Sequence, residues 1–360
     1  MKKSLLALAV AAALPAFAHA QTNIVLNGSV DVAVEHFDAD VDGVDSDVRV
    51  TDGVWSGSRF AISGTEDIGG GLKGIFNIEH RLSPDTGTVK ETRFWHGQAW
   101  VGLQGGFGAI RLGRQYTPMF RALAGGDVTG YSWYNNGVGL GGTAIRFDND
   151  VSYQSPSLGG FTIHAAYVAG ENTGSPSAGA AQPLTAGTNP VGAVSTSGIA
   201  FSGAGTAYNA DLGDALAIAA VGAFGPINVG IGYHHIDAGG APGVDDRTEL
   251  GVSLGAKFGN FGIGLAAAQS EFDNAAGTTF ERKAFYGSLS AGMGAGTVYL
   301  TFKRDDQGTD LDNDGLGLTY SHGLSKRTFV YASLGYNKIE QATGDDLKPR
   351  AIALGIRHFF

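Results

Sequence analysis

Apolar residues alternate with small or polar residues along many short stretches of the chain. In residues 250–258, leucine, valine, alanine and phenylalanine alternate with glycine, serine and lysine, and the same period recurs in 228–234, 298–303 and 330–337. Successive side chains of a β-strand point to opposite faces, so a period of two indicates strands with one apolar face. No 3.6-residue stripe of comparable length occurs in the sequence, and we therefore predict an all-β fold.

The breaks in this pattern divide the chain into sixteen predicted strands. Short glycine-rich turns between them strictly alternate with longer polar loops, and both chain ends fall on the side of the short turns. This arrangement is typical of an outer-membrane barrel, so we predict a 16-stranded antiparallel transmembrane β-barrel. The predicted strands cover residues 23–36, 54–66, 71–82, 92–104, 107–114, 146–154, 160–170, 209–223, 227–238, 249–259, 261–273, 282–294, 295–305, 314–324, 327–340 and 349–360.

A soluble β-rich protein is the alternative to a barrel. Its polar faces would carry many charges, whereas charged residues make up 16% of this chain and glycine dominates the polar faces. A sandwich or propeller would also lack the two-sided difference in loop length. Residues 171–206, rich in Gly, Ala, Ser, Pro and Thr, are predicted to form a long surface loop.

The first twenty residues have the features of a secretory signal peptide. Two lysines precede an apolar run, and Ala18-His19-Ala20 matches the small-x-small cleavage pattern. We predict a signal peptide over residues 1–20 and a single barrel domain over residues 21–360. Loss of Lys2 and Lys3 changes the formal net charge from -10 to -12, which excludes nucleic acid as an expected partner.

Composition narrows the chemistry further. The chain has no cysteine, which excludes disulfides, thiolate metal sites and cysteine nucleophiles. Gly251 to Gly255 fit the G-x-S-x-G pattern, but the serine lies mid-strand with no helix after it, so it is not a nucleophile elbow. We expect neither an enzyme nor a bound cofactor.

Several ordered blocks resemble the Gram-negative general porins, especially their β-proteobacterial branch. These blocks are SRFAISGTEDIGGGLKGIFNIE, QAWVGLQGGFGAIRLGRQYTP, RFDNDVSYQSPSLGGF and GIRHFF. The resemblance implies a homotrimer in the cell outer membrane, reached by secretion through the inner membrane. Each barrel would be a water-filled channel for passive diffusion of small hydrophilic solutes and ions. Outer-membrane lipid, lipopolysaccharide and the barrel-assembly machinery are the further partners expected.

The last predicted strand carries the family's assembly signal. In such porins a final aromatic residue, with apolar or aromatic residues at alternate positions before it, is read by the assembly machinery. Ile356, His358 and Phe360 match this pattern. The same residues also suit the lipid-facing side of a strand that pairs with the first strand and closes the barrel.

Residues from Tyr116 to about Ile145 form a long segment without period two, after the fifth predicted strand. A loop of this length is uncommon unless it is functional. The segment occupies the place of the family's inward-folded constriction loop, and Asp127, its only acidic residue, is assigned to the loop side of the constriction. A solvated surface loop is the alternative.

The resemblance also implies a ladder of arginines on the barrel wall opposite that loop. Arg59 and Arg146 match two of its positions, and the parity of the second predicted strand directs Arg59 inward. The family's arginine on the fourth strand falls at Gly97 here, and Arg93 is expected to substitute for it in part. We therefore expect a weakly selective channel in which local charge decides ion preference.

Other charges are assigned to the lumen by parity or weighed as metal ligands. The lumen-facing set is Lys73, Glu79, Arg81, Lys257 and Lys303. Asp310, Asp312 and Asp314 imitate the start of a calcium loop, but Ser321 stands where the bidentate glutamate belongs, so no metal site is expected beyond an adventitious one. His234 and His235 lie on opposite faces of a strand and cannot bind one metal together.

Three alternative functions remain open from the sequence. A substrate-selective porin would use the same barrel with a specific solute-binding site. An outer-membrane hydrolase would need a catalytic constellation that the residues do not provide. A structural barrel or adhesin would leave the inserted segment unexplained.

Overall fold

The computed structural model describes eight stretches of the chain. The predicted signal peptide (1–20) and the predicted loop 171–206 lie outside them. The described residues are 23–43, 45–90, 93–170, 213–237, 246–273, 279–307, 312–340 and 344–360.

The described residues form one antiparallel sheet that curls into a closed barrel. Its strands are β1 (Asn23–Asp38), β2 (Asp47–Asp52), β3 (Arg59–Gly69), β4 (Leu72–Ser83), β5 (Thr88–Val89), β6 (Gln98–Gly105), β7 (Gly108–Tyr116), β8 (Arg146–Phe147), β9 (Asp150–Gln154), β10 (Phe161–Val168), β11 (Ala215–Phe224), β12 (Ile227–Ile236), β13 (Arg247–Phe258), β14 (Phe261–Asp273), β15 (Thr279–Met293), β16 (Gly296–Asp306), β17 (Asn313–Gly323), β18 (Thr328–Ile339) and β19 (Arg350–Phe359). β5 and β8 are two residues long, and β2 lies in line with β3 beside β1. The other sixteen strands form the wall, which confirms the predicted fold class.

The first and last strands close the barrel. β1 pairs with β19 from Ser29 opposite Phe359 to Asp38 opposite Arg350. The seam continues through Gly28 and Phe360, whose backbone N–H groups donate to each other's carbonyls at 3.1 and 3.2 Å. A Cβ at Gly28 would lie 2.6 Å from the Phe360 ring, so glycine is required where the two strands approach. No sheet edge is left open at this seam.

The two faces of the wall differ as the alternation predicts. On β13, Leu254 is 50% exposed while Ser253 beside it is buried, and on β19 Leu354 is 65% exposed while Ala353 is buried. Large apolar side chains therefore point outward along the wall. Small and polar side chains point into the barrel.

The early part of the chain departs from the predicted strand bounds. Residues 54–58, predicted to begin a strand, turn away from the sheet, and β3 begins only at Arg59. The Asp31 carboxylate accepts hydrogen bonds from the backbone N–H groups of Trp55 (2.8 Å) and Ser56 (3.2 Å), which holds this turn in place. The predicted strand 146–154 is likewise split into β8 and β9, with Asn149 at φ 51° between them.

The described residues include one α-helix, α1 (Pro118–Ala124), and a 3-10 turn at Leu140–Gly142. Thr117 caps α1, because its hydroxyl accepts from the Phe120 N–H at 3.0 Å, and Pro118 stands at the first helical position. Neither this helix nor any other helical turn in the described stretches is long and apolar enough to cross a membrane.

Candidate functional site

Residues 117–145 cross the interior of the barrel. The Ser253 hydroxyl on β13 donates to the Ala122 carbonyl at 2.6 Å, and the Thr301 hydroxyl on β16 donates to the Tyr134 carbonyl at 2.8 Å. The Asn135 amide donates to the Leu316 carbonyl on β17 at 2.9 Å. Because Ser253 and Thr301 lie on the inward face, the segment packs against the inner wall from β12 to β17. We call residues 117–145 the internal segment.

The tip of the internal segment joins an aromatic cluster inside the wall of β1 and β16–β19. Trp133 packs on Trp55 with ring centroids 4.4 Å apart, and the backbone N–H of Trp133 donates to the Trp55 carbonyl at 2.8 Å. The Tyr134 hydroxyl donates to the Glu35 carboxylate on β1. Tyr331 and Tyr299 contact Trp133 from β18 and β16. One side of the interior is therefore packed with apolar rings.

The other side of the interior carries a cluster of arginines around Tyr116. Arg59 and Arg81 are cross-strand partners on β3 and β4. The Tyr116 hydroxyl accepts hydrogen bonds from Arg81 at 2.9 Å and from Arg146 at 3.0 Å. Glu79 accepts from the Arg81 Nε at 2.8 Å. Three guanidinium groups at part-exposed positions thus meet one buried carboxylate, which leaves a local excess of positive charge. We call Arg59, Arg81, Arg146, Glu79 and Tyr116 the arginine cluster.

His96, in the connection before β6, responds to this positive charge. Burial, and then the guanidinium groups of Arg114, Arg146, Arg81 and Arg93, lower the pKa of His96 to about 3. An imidazole so placed stays neutral in mildly acidic solution. Burial is the largest single cause of the lowered pKa, and the four guanidinium groups add to it by disfavouring a further cation.

Gly97 stands where the family has an arginine, and Arg93 is its expected substitute. The surroundings of these two residues differ. Arg93 forms an ion pair with Asp148, which also accepts from Arg114 at 2.5 Å. A Cβ at Gly97 would collide with the Glu79 carboxylate, so this glutamate fills the space that a side chain there would need. Partial substitution by Arg93 remains a prediction.

Asp127 lies within the fold of the internal segment itself. Its carboxylate is 7% exposed and accepts from the Thr129 N–H at 2.8 Å, the Thr129 hydroxyl at 2.6 Å and the Gly137 N–H at 3.3 Å. Burial raises the pKa of Asp127. The hydrogen bonds indicate a structural role for Asp127 in shaping the segment, and its expected role opposite the arginines stays a prediction.

Sequence reasoning missed two cations and two rings beside the cluster. Phe120 of α1 stacks on Tyr116 at 4.2 Å, and Tyr131 packs on Phe120 at 4.7 Å. Arg111 on β7 donates to Gln154 at 3.0 Å, and Arg121 of α1 is partly exposed. The alternation of Arg111 with Ile110 and Leu112 could have revealed it. Arg121, in an aperiodic segment, gave no such signal.

The remaining lumen charges occupy varied surroundings. Lys73 lies opposite Asp67 in the β3–β4 register, and Lys257 is exposed near the end of β13. Lys303 is buried, and nearby Asp305 pairs with the Arg282 Nε at 2.7 Å. Glu79 and Arg81, assigned to the lumen by parity, belong to the arginine cluster.

Two further sets of predicted residues lie away from the interior. Asp312 and Asp314 contact Arg304 at 3.0 and 3.8 Å, and Asp310 lies outside the described residues. Across the described stretches no three acidic, histidine or cysteine side chains are grouped to hold a metal ion. Ile356, His358 and Phe360 share the outward face of the seam, and their role as an assembly signal remains a prediction.

Comparison with known proteins gives consistent matches along the chain. The family model of Gram-negative porins matches residues 7–342. Outer membrane porin protein 32 of Delftia acidovorans is 30% identical over 369 residues, covering 99% of this chain and 95% of that protein. An outer membrane porin protein of Bordetella pertussis is 29% identical and covers 100% of both chains. The solved anion-selective porin from Comamonas acidovorans superposes with a TM-score of 0.75 at 26% identity, covering 94% of this chain and 100% of that one.

Proposed function

We propose, from the premise that this chain belongs to the Gram-negative porin family, that it is a passive channel rather than an enzyme. In the outer membrane, the location of this family, it lets small hydrophilic solutes and ions diffuse through a water-filled barrel, with a weak preference for anions. The relative from Comamonas acidovorans, which bears anion selectivity in its name, supports the sign of this preference.

The grouping of three arginines carries the proposal: Arg81 and Arg146 donate to the Tyr116 hydroxyl, and Arg59 lies opposite Arg81 across β3 and β4. The formal charge of the whole chain is negative, but solutes in a narrow pore respond to the charges within a few ångströms of their path. A site with three guanidinium groups and one bonded carboxylate attracts anions and repels cations.

The internal segment is proposed to set the width of the channel. A barrel of about sixteen strands is too wide for wall side chains to fill, so water occupies the space that the protein does not. The internal segment and the aromatic cluster occupy one side of this space. Solutes then pass on the other side, along the arginine cluster.

The proposed channel also has partners in the outer membrane. We propose that three copies associate, that the exposed apolar band of the wall meets lipid, and that lipopolysaccharide surrounds the long loops. We also propose that residues 1–20 direct export and that the barrel-assembly machinery recognises the outward residues of β19. The outward exposure of Leu254 and Leu354 supports the contact with lipid.

Conductance of the purified protein in a planar bilayer under a salt gradient tests the function. We expect ion-conducting steps and a reversal potential that indicates anion preference. Arg59→Ala removes a charge worth about 1 kcal/mol at the pore, which corresponds to a roughly fivefold fall in the anion-to-cation permeability ratio.

Lys326→Ala is the matched control, because it removes one cation from an exposed turn outside the pore. Its reversal potential should equal that of the wild type. An unchanged potential in Arg59→Ala would refute the assignment of the arginine cluster to the narrowest point. A bilayer that stays electrically silent would refute the channel itself, and saturation of the current by one solute would favour the substrate-selective alternative.

A further inference from the structure

Three buried residues of the inner wall hold both ends of the internal segment. His234 lies on β12, and Glu249 and Arg247 lie on β13. Their exposed fractions are 0%, 1% and 2%. These three residues are not part of the arginine cluster. They also do not line the proposed path of solutes.

The hydrogen bonds of His234 define its protonation state. The Met119 backbone N–H, at the start of α1, donates to Nε2 at 3.0 Å. Nδ1 lies 3.0 Å from the Glu249 carboxylate. A backbone N–H can only donate, so Nε2 must carry no proton, and the single ring proton lies on Nδ1 and points to Glu249. The observed contacts therefore require a neutral imidazole.

Glu249 and Arg247 hold the other end of the internal segment. The Glu249 carboxylate accepts from the Ala144 N–H at 3.1 Å and pairs with Arg247 at 2.5 Å. Arg247 in turn donates to the Gly142 carbonyl. One connected group of side chains thus fastens the segment where it leaves the wall and where it returns.

We propose that His234, Glu249 and Arg247 are positioning residues for the pore, and that they hold the internal segment only while His234 is neutral. The proposal rests on the proposed function, in which this segment sets the width of the channel. A second proton on the ring would place an N–H of Nε2 against the N–H of Met119, two donors without an acceptor. Acid then releases the start of α1 and changes the pore.

The surroundings of His234 identify what else could respond to acid there. Glu249 and Arg247 face it from β13, while β8 presents the Phe147 ring at 5.1 Å and α1 presents the Met119 amide. Among these groups only the imidazole and the Glu249 carboxylate can take up a proton, so variants at His234 identify the group that responds to acid.

Single-channel recordings at about pH 7.5 and about pH 4.5 test the proposal. In the wild type, the ratio of time in altered-conductance states to time in the main state should rise by about fivefold or more in acid, the effect of losing one buried hydrogen bond. In His234→Gln the amide oxygen reaches the level of Nε2 and can accept from Met119 without titrating. This variant should conduct normally at both pH values.

His234→Leu offers no acceptor and should show the acid behaviour already at neutral pH. The matched control is His235→Gln, because His235 is the neighbouring residue on the opposite face, with a side chain 41% exposed and 3.9 Å from Asp246. Its acid response should equal that of the wild type.

The outcomes separate the two proposals. If wild type and His234→Gln respond equally to acid, or neither responds, the positioning proposal is wrong while the channel stands. If His234→Leu fails to fold, as shown by loss of its β circular dichroism signal, the comparison of His234→Gln with His235→Gln still decides. If no variant and no wild-type protein conducts, the proposed function fails instead.

Discussion

Tyr116 shows how one residue organises a group of like charges. Arg59 and Arg81 lie directly opposite each other across two strands, an arrangement that is unfavourable for two cations. The Tyr116 hydroxyl accepts from Arg81 and from Arg146, and the Arg146 guanidinium lies 4.6 Å from the centre of the Tyr116 ring. One phenol therefore offsets part of the repulsion between cations while leaving their charge in place.

Asp127→Asn tests whether the acid of the internal segment acts in the pore. The asparagine keeps Oδ1 as acceptor for Thr129, and burial already disfavours the charged carboxylate. We expect the permeability ratio to change by less than about twofold, measured as a reversal potential beside that of Arg59→Ala. A rise in anion preference as large as the fall in Arg59→Ala would instead place the Asp127 charge at the constriction.

His96 predicts a pH dependence of stability. Its pKa in the folded protein, about 3, is below the ordinary 6.5, so below about pH 6.5 the unfolded chain binds a proton that the folded protein does not. The stability that the neutral His96 contributes to the fold is fully present above pH 6.5 and is lost as the pH falls toward 3. Denaturation midpoints should therefore fall more between about pH 7 and pH 4 in the wild type than in His96→Gln. Equal falls would contradict the shifted pKa.

The arginine cluster could be predicted only in part. The parity of one strand directs Arg59 inward, and the family block places Arg146 beside it. Arg81 has the same parity as Glu79, but its position opposite Arg59 depends on the β3–β4 register, which alternation alone does not fix. The hydrogen bonds that Asp127 makes within its own segment depend on a loop conformation that has no sequence period.

At the scale of elements, α1 lies against the wall because glycines leave room for its backbone. A Cβ at Gly230 on β12 would collide with the Ala122 carbonyl, and a Cβ at Gly255 on β13 would collide with the Gly125 carbonyl. The neighbouring Ser253 donates to Ala122. The small residues on the inner face of the wall thus form a seat for the helix, in addition to their role in a crowded sheet.

Gly230→Ala tests this seat. The added methyl group must push α1 away from the wall, at a cost of about 1–3 kcal/mol, so we expect an altered single-channel conductance and a lower denaturation midpoint. Gly287→Ala is the control, since a Cβ there meets only Leu265 at 3.7 Å. Equal behaviour of the two variants would show that the helix does not depend on the close approach.

The strands of the wall were largely predictable, because their lipid-facing side imposes a regular period. The same local pattern predicts that residues 54–58 begin a strand, and that prediction is wrong. Their turn depends on Asp31 and on Trp133, which lie 24 and 78 positions away from Trp55 in the printed sequence. A hydrophobic pattern read over a short stretch of sequence cannot reveal contacts between residues so far apart in the chain.

At the scale of the whole molecule, the interior is divided unequally. The aromatic cluster gives the wall of β1 and β16–β19 a packed core, while β3, β4 and β8 carry the arginines of the arginine cluster. The barrel thus combines the tight packing of a soluble domain on one side with part-exposed charged residues on the other. The family fold predicts an inward loop, but the side that it covers is known only from the contacts of the internal segment.

Phe360→Ala tests the predicted assembly signal. The Phe360 ring is 42% exposed, so its loss should lower the stability of protein refolded in detergent by no more than about 2 kcal/mol. In cells, however, the amount that reaches the outer membrane should fall several-fold if the assembly machinery reads this residue. Phe258→Ala, another outward aromatic, is the control, and equal loss of both variants from the membrane would contradict a specific signal.

The seam between β1 and β19 has a consequence for biosynthesis. Arg357 on β19 donates to Ser29 on β1, 328 positions earlier in the chain. β1 is synthesised first and β19 last, so the hydrogen bonds at this edge of β1 can form only when the whole chain has been made. A nascent or truncated polypeptide lacking β19 carries two bare edges, on β1 and β18, that template aggregation. Holding such chains unfolded in the periplasm, or degrading them, is therefore a requirement that this closure places on the cell.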